Sequence, residues 1–431
     1  MNIQKEAYNM KLAAPKLAAT TIAERNKALS MIADALERSK EDIFAANHED
    51  VKAAKENGIN DSVLKRLYFN DQKLSDAIAG IRQLIELPDP TGQILLKREL
   101  DEGLVLTRVS VPIGVIGVIF EARPDALVQI ASLCIKSGNC AILKGGKETA
   151  KTNKVLFQII HKSIVDAGLP KESLLQAEFH NEIDELLACD KDVDLLIPRG
   201  SNQFVRYIME HTKIPVMGHS SGICHIYIDK AADFNAAIPT IIDAKIQYPA
   251  ACNAVETILI NRECGDSFIH DLTAAFKDNG VQVRGTKEVH DILDGDIPVD
   301  IMGDDDFATE YNDLIVSVKL VDNVQEAVEH INRFGSHHTD CIFTTDDETA
   351  EYFMQMVDSA GVYRNCSTRF ADGFRYGFGA EVGISTGKIH ARGPVGLEGL
   401  VTYKYKLIGN GHIVGDYASG RRTFHHKDME A

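Results

Sequence analysis

Tryptophan is absent from the 431 residues, and aromatic residues make up only 7%. Packing must rest on the aliphatic part of a 45% hydrophobic content, which is ordinary for a globular chain with sizeable cores. No stretch reaches the roughly 18 uninterrupted apolar residues that a membrane-spanning helix needs. The N-terminal MNIQKEAYNMKLAAPKLAA has no apolar core of the kind a secretion signal carries. The expectation is a soluble, cytoplasmic protein of about two or three domains by length.

Basic residues are also in deficit. Lys and Arg number 46 against 63 Asp and Glu, a formal net charge of −17. Phosphate backbones and anionic membranes are held by basic surfaces, so neither nucleic acid nor membrane is an expected partner. A small anionic ligand would need local cations to reverse the field, and Arg123, Lys144, Lys147 and Arg199 are the candidates.

Several motifs are missing. The eight cysteines (134, 140, 189, 224, 252, 264, 341, 366) show no CxxC or other ligand spacing, which argues for reduced thiols over disulfides or zinc. No GxGxxG follows a strand pattern: GFGAEVG (377–383) has the wrong spacing, and KGGKET (144–149) lacks the first glycine of a P-loop. His330 and the pair His337-His338 lack partnered carboxylates or cysteines, so no metal is expected. His219 with Ser220-Ser221 lacks the GxSxG elbow of a serine hydrolase.

What remains is an alternation of elements. Residues 1 to about 88 read as helices, one of them opened by a capping box, Thr21 to Glu24, and carrying Ile22, Ala23, Leu29, Ile32 and Leu36 at helical spacing. After Pro88 and Pro90, the stretch 92–109 alternates as a hairpin turning at Asp101-Glu102-Gly103, with two exposed edges that invite a partner. Short apolar strands then alternate with helices in two series. The first has strands at 113–119, 140–143, 174–179 and 193–197. The second has strands at 223–228, 255–260, 281–283, 314–320, 341–344 and 361–363. Such alternation predicts parallel, doubly wound sheets in two α/β lobes. The last forty residues read as loops plus a terminal strand.

Open α/β sheets bind ligands at the carboxyl ends of strands. LKGGKE delivers two lysines to such an end, as a ligand loop or as a solvated turn. IPRGSN sets Arg199, Gly200 and Ser201 at a strand-to-helix junction, where free N–H groups and the helix dipole favour an anion. The stretch YPAACNAVETILI (248–260) places Cys252 among alanines just before a β-branched run. A free cysteine is either a small buried hydrophobe or, presented this way, a nucleophile.

Seven strings carry a resemblance over essentially the whole chain: VPIGVIGVIFEARPDA (111–126), AILKGGKE (141–148), IPRGSN (197–202), ICHIYID (223–229), YPAACNAVET (248–257), AVEHINRFGSHHTDCI (327–342) and RFADGFRYGFGAEVGISTGKIHARGPVGLEGL (369–400). By these the chain resembles the gamma-glutamyl phosphate reductase family, a branch of the aldehyde dehydrogenase superfamily. The resemblance implies an α/β, aldehyde dehydrogenase-like fold: a cofactor-binding lobe (1–91 and 113–222), a catalytic lobe (223–392), and an oligomerisation element (92–112 and 393–431). It implies NADPH-dependent reduction of L-glutamyl 5-phosphate to L-glutamate 5-semialdehyde in proline biosynthesis, through a thioester on Cys252. Another non-hydrolytic aldehyde dehydrogenase, phosphorylating or acylating, is the alternative.

By the same resemblance Lys144 matches the lysine on the adenosine ribose, and Lys147 stands where NAD-preferring relatives carry a glutamate, which favours NADPH. Gly200-Ser201, beside Arg199, matches the helix start facing the pyrophosphate, and Glu310 looks like the glutamate on the nicotinamide ribose. Arg123 reads as a phosphate partner or as half of a structural salt bridge. The Cys252 N–H, with the Asn253 side chain, is the implied oxyanion hole, because EARP puts Ala122 where relatives have an asparagine. The family's glutamate for the deacylating water has no counterpart: no Asp or Glu occurs between Ile214 and Ile228. A homo-oligomer, dimer or tetramer, and a functional link to glutamate 5-kinase follow by the same analogy.

Overall fold

The computed structural model describes residues 2–179, 181–219, 221–293, 295, 297–379 and 381–430, with backbone alone for 61–63, 304 and 305. The chain divides into two compact units, one of Met1–Met217, Phe378–Gly383 and Val395–Ala431, the other of Gly218–Gly377 and Ile384–Pro394.

In the first unit the central sheet is parallel, with strand order Leu174–Ala177, Cys140–Gly145, Val115–Phe120, Leu195–Arg199. Every residue of Val115–Phe120 is buried, as a parallel sheet covered on both faces requires. That is why its sequence is a continuous apolar run rather than an alternation. The cover comes from Pro124–Lys136, Ala150–Asp166 and the N-terminal helices. Thr21 opens helix Ile22–Arg38 with the expected reciprocal bonds: Glu24 N donates to Thr21 Oγ1 at 3.3 Å, and Thr21 N donates to Glu24 Oε2 at 2.7 Å. Arg25 of that helix is buried, where it pairs with Asp89 at 2.7 Å and donates to the Lys136 carbonyl.

The hairpin forms from Ile94–Asp101 and Leu104–Pro112 with Gly103 at φ +74°, a conformation glycine adopts without strain. The chain's C-terminal segment joins this hairpin in a four-stranded sheet. Val401–Ile408 pairs antiparallel with Leu104–Pro112 along eight residue pairs, and Lys427–Asp428 caps the other edge beside Arg98 and Glu99. The chain's own C-terminal segment takes both sides because unpaired edge N–H and C=O groups template any strand within reach.

The second unit holds a seven-stranded parallel sheet, ordered Val299–Ile301, Gln282–Gly285, Ile315–Val321, Val255–Asn261, Cys224–Ile228, Thr339–Phe343, Gly361–Arg364. Helices Phe234–Ile246, Asp266–Asp278, Val324–Phe334 and Asp347–Met356 alternate with these strands, as the sequence pattern predicts. Helix Lys287–Leu293 and strand Val299–Ile301 go beyond that pattern, being too short to express a period. One core joins Ile226, Ile258, Phe276 and Val318; a smaller one on the other side of the sheet gathers Tyr227, Leu259, Ile342 and Phe353.

Candidate active site

In the second unit, three strands adjacent in the sheet begin side by side: Val255–Asn261, Cys224–Ile228 and Thr339–Phe343. Cys252 lies three residues before the first, His219 five before the second, and His338 one before the third. The thiol therefore sits at the amino ends of parallel strands, the end opposite to the usual ligand crevice. Cys252 Sγ is 3.2 Å from His338 Nε2. His338 is buried, and its Nδ1 lies 2.9 Å from Thr339 Oγ1. His219 stands edge-on to His338 with ring centroids 5.1 Å apart, and its Nδ1 lies 2.9 Å from the Ile384 carbonyl. Ser220, weighed with His219 as a hydrolase pair, lies outside the described residues.

The backbone beneath the thiol is held closely. Cys224 donates its S–H to the Cys252 carbonyl at 3.3 Å, and burial pushes that thiol well up, which keeps it a donor. A Cβ on Gly222 would fall 2.1 Å from the same carbonyl oxygen, so only glycine permits this approach. Thr368 Oγ1 donates to the Asn253 carbonyl at 2.7 Å. The turn that delivers His338 is built at His337, whose φ of +59° is left-handed, and at Ser336, whose Oγ accepts from Ile223 N at 2.8 Å.

Asn253 does not have the character of an oxyanion donor. Its Nδ2 is committed to the Ala371 carbonyl at 2.8 Å, and the buried acceptor Oδ1, which repels an oxyanion, has no partner among the described residues. A cation whose charge interacts with Cys252 is Arg369, which no local sequence signal singles out. It is mostly buried, its guanidinium is depressed first by burial, and the Cys252 charge acts against that depression. Arg369 Nε donates to Gln247 Oε1 at 2.9 Å. Glu310 is half-buried and its charge reaches Glu256. Glu256 forms a fully buried pair with Lys245 at 2.8 Å; burial pushes its carboxyl up to about 7 against the pull of the lysine. His330 is a core residue: burial and neighbouring cations depress it to about 2.

The first unit gathers the other candidates at the carboxyl end of its sheet. Strand order reverses between Val115–Phe120 and Leu195–Arg199, the switch point where such sheets bind ligands. There Glu121 N donates to the Arg199 carbonyl, and Ser201 N donates to Glu121 Oε2 at 3.0 Å. Ser201 Oγ caps helix Asn202–Glu210, and a Cβ on Gly200 would meet Glu121 Oε2 at 2.5 Å. The anion position at this helix start is thus taken by the chain's own carboxylate. Arg199 Nη1 donates to the Val382 carbonyl at 2.8 Å.

Lys144 is buried, its Nζ 2.6 Å from the Gly145 carbonyl, and burial lowers its pKa against the charges of Glu182 and Glu148. Lys147 is exposed and makes no ion pair among the described residues. Glu148 folds back over Gly146, where a Cβ would lie 2.1 Å from its Oε1, and accepts from Ala122 N at 2.7 Å. Ala122 is held at φ +48°, a strain of about 1–2 kcal/mol for a residue with a Cβ. Arg123 is exposed at the N-cap of Pro124–Lys136; the salt bridge considered for it does not form among the described residues.

Two parallel α/β sheets, a thiol on a histidine in one unit and paired lysine and helix-start loops in the other, define an enzyme of the aldehyde dehydrogenase type. The aldehyde dehydrogenase family model matches residues 2–289. The chain is 52% identical over 429 residues to a gamma-glutamyl phosphate reductase of Acetivibrio thermocellus, covering 100% of this chain and 99% of that one. It is 51% identical over 424 residues to gamma-glutamyl phosphate reductase 1 of Synechocystis, covering 98% and 97%. The crystal structure of gamma-glutamyl phosphate reductase from Thermotoga maritima superposes with TM-score 0.93 at 36% identity, covering 96% of this chain and 100% of that one. An acetylating aldehyde dehydrogenase from Geobacillus thermoglucosidasius shares the fold, with TM-score 0.64 at 16% identity over 95% and 97% of the two chains. The chain belongs to the aldehyde dehydrogenase family and, within it, to the gamma-glutamyl phosphate reductases, which are oxidoreductases.

Proposed function

We propose that the protein reduces L-glutamyl 5-phosphate to L-glutamate 5-semialdehyde with NADPH, releasing phosphate, in L-proline biosynthesis. The observation that carries this reading is the Cys252 thiol 3.2 Å from an imidazole and, among the described residues, hydrogen-bonded to no carboxylate. The acyl phosphate is an anhydride whose leaving group needs little acid assistance, so the chain must supply a nucleophile and keep water idle.

His338 Nε2 takes the thiol proton, and the imidazolium so formed faces the thiolate. Arg369 adds a second positive charge. Sulfur attacks the acyl carbon and phosphate leaves with the bonding electrons, which gives a thioester on Cys252. No Asp or Glu in 214–228 stands ready to activate water against that thioester. The stable Cys252 backbone, fixed by Cys224, Gly222 and Thr368, holds the acyl group in one place.

The residues of the first unit suit a phosphorylated dinucleotide. A carboxylate already occupies the Ser201 N–H, which marks that helix start as an anion position, while Lys147 offers an exposed cation with no ion pair among the described residues. Lys144 and Lys147 would hold the ribose and its 2′-phosphate, Gly200 and Ser201 the pyrophosphate, and Glu310 the second ribose. When bound, the reduced nicotinamide supplies the hydride that takes the thioester to the aldehyde level.

The reverse reaction tests this. Reduction of NADP should require both glutamate 5-semialdehyde and inorganic phosphate, and should vanish in Cys252→Ala. Turnover without phosphate would overturn the phosphorylating assignment, and coenzyme A in its place would select the acylating alternative.

A further inference from the structure

The thiol has a third neighbour that the proposed reaction does not use. His219, Cys252 and His338 each direct one ligand atom into a space where all three atoms lie within 4.8 Å of one another. We infer that these three side chains form a binding site for a soft divalent cation, zinc above all, and that the ion reversibly silences the enzyme. The inference rests on Cys252 being the nucleophile of the proposed reaction.

Donor chemistry points to the ion. One thiolate and two imidazoles are the ligands zinc prefers, and Zn–S near 2.3 Å with Zn–N near 2.0–2.1 Å puts tetrahedral ligand atoms roughly 3.5 Å apart. Cys252 Sγ and His338 Nε2 already stand at 3.2 Å. Hard cations such as magnesium find no carboxylate in this set. Metal-binding histidines are usually oriented by a bond from the other ring nitrogen, and both rings are so held. His219 Nδ1 lies 2.9 Å from the Ile384 carbonyl, which only accepts, so Nδ1 carries the proton and the ring's lone pair is on Nε2. His338 Nδ1 lies 2.9 Å from Thr339 Oγ1, with its Nε2 toward the sulfur.

Burial grades suitably as well. His338 is buried, while Cys252 and His219 are half-buried, so an ion can enter and keep a water in the fourth position. Binding releases the Cys252 thiol proton to solvent and commits the sulfur lone pair to the metal. A sulfur bonded to zinc cannot attack an acyl carbon, so occupancy and acylation exclude one another.

Cobalt(II) serves as the spectroscopic probe on the intact, reduced protein. One equivalent should give the intense visible bands of a tetrahedral ion with a sulfur-to-cobalt charge-transfer band; zinc should displace it. Zinc should also block iodoacetamide at Cys252, followed by mass spectrometry, with EDTA restoring the reaction. Cys252→Ser should abolish the charge-transfer band, and His219→Asn should weaken zinc binding roughly tenfold or more, with unchanged circular dichroism in both. Octahedral cobalt without charge transfer, alkylation indifferent to zinc, or His219→Asn binding zinc like the parent would each overturn the proposal. The cobalt spectrum needs no turnover, so a protein inactive on glutamyl phosphate would fail the functional reading while leaving the metal site measurable.

Discussion

Cys252 Sγ and His338 Nε2 are 3.2 Å apart although 86 residues separate them in the chain. If the imidazole is the proton acceptor for the thiol, His338→Ala should lower kcat about 10²- to 10⁴-fold, the usual range for a positioned acid–base group. It should slow iodoacetamide alkylation of Cys252 in parallel, with KM for the acyl phosphate little changed. Alkylation at the parent rate would remove His338 from the chemistry.

The exposed Lys147 bears on cofactor choice. A glutamate there repels a 2′-phosphate and accepts from a free ribose hydroxyl. Lys147→Glu should therefore reduce the kcat/KM ratio of NADPH over NADH by about tenfold or more, equivalent to roughly 1.4 kcal/mol. An unchanged ratio would place the 2′-phosphate on another residue.

Glu121 competes for the helix start it occupies. Its carboxylate accepts from Ser201 N and lies against Gly200, where a pyrophosphate is expected. A charge at a helix N-terminus is worth about 0.3–1 kcal/mol, so Glu121→Gln should tighten NADPH roughly two- to fivefold in a calorimetric titration. Weaker binding would show Glu121 to be a support for the loop instead.

Lys245 and Glu256 form a buried ion pair whose loss is expected to be costly. Removing one partner of such a pair typically costs about 3–5 kcal/mol, so Lys245→Met should lower Tm markedly. The cost should depend on pH. Burial raises Glu256 in the folded state to about 7, so its contribution to stability is fully present below the unfolded value of 4.5 and is lost as pH rises through about 7. Without Lys245 the folded value moves higher and the loss extends further. The deficit of Lys245→Met should thus grow from pH 6 to pH 8 in denaturant titrations, and Lys245→Met with Glu256→Leu should recover much of it. A deficit that shrinks with rising pH would contradict this account.

Much of the fold was legible because its signals are local. The capping box at Thr21, the hairpin turn at Gly103 and the buried run Val115–Phe120 each rest on neighbours in sequence. The lysines of LKGGKE and the junction at Ser201 could be placed at strand ends for the same reason. The contacts of Asn253 and His338 were not legible in this way. Asn253 is adjacent to the nucleophile yet tied to Ala371, while His338 lies in a histidine pair whose sequence spacing reveals no ligand. Adjacency along the chain is a weak guide once a turn decides which side chain faces the sulfur. Left-handed His337 is what turns His338 inward, and nothing in two consecutive histidines says which one faces in.

The sequence by itself determined the two α/β series, the aldehyde dehydrogenase resemblance and the choice of Cys252, since hydrophobic period and long motif strings depend only on order along the chain. The tertiary structure decided the company that cysteine keeps. Strand order in the seven-stranded sheet brings residues 219, 252 and 338 to three neighbouring amino ends, because parallel pairing aligns the starts of strands that are remote in sequence. It likewise laid the C-terminal segment along both hairpin edges and put Glu121 on the Ser201 helix start, since unsatisfied backbone groups take whichever partner the fold brings within reach.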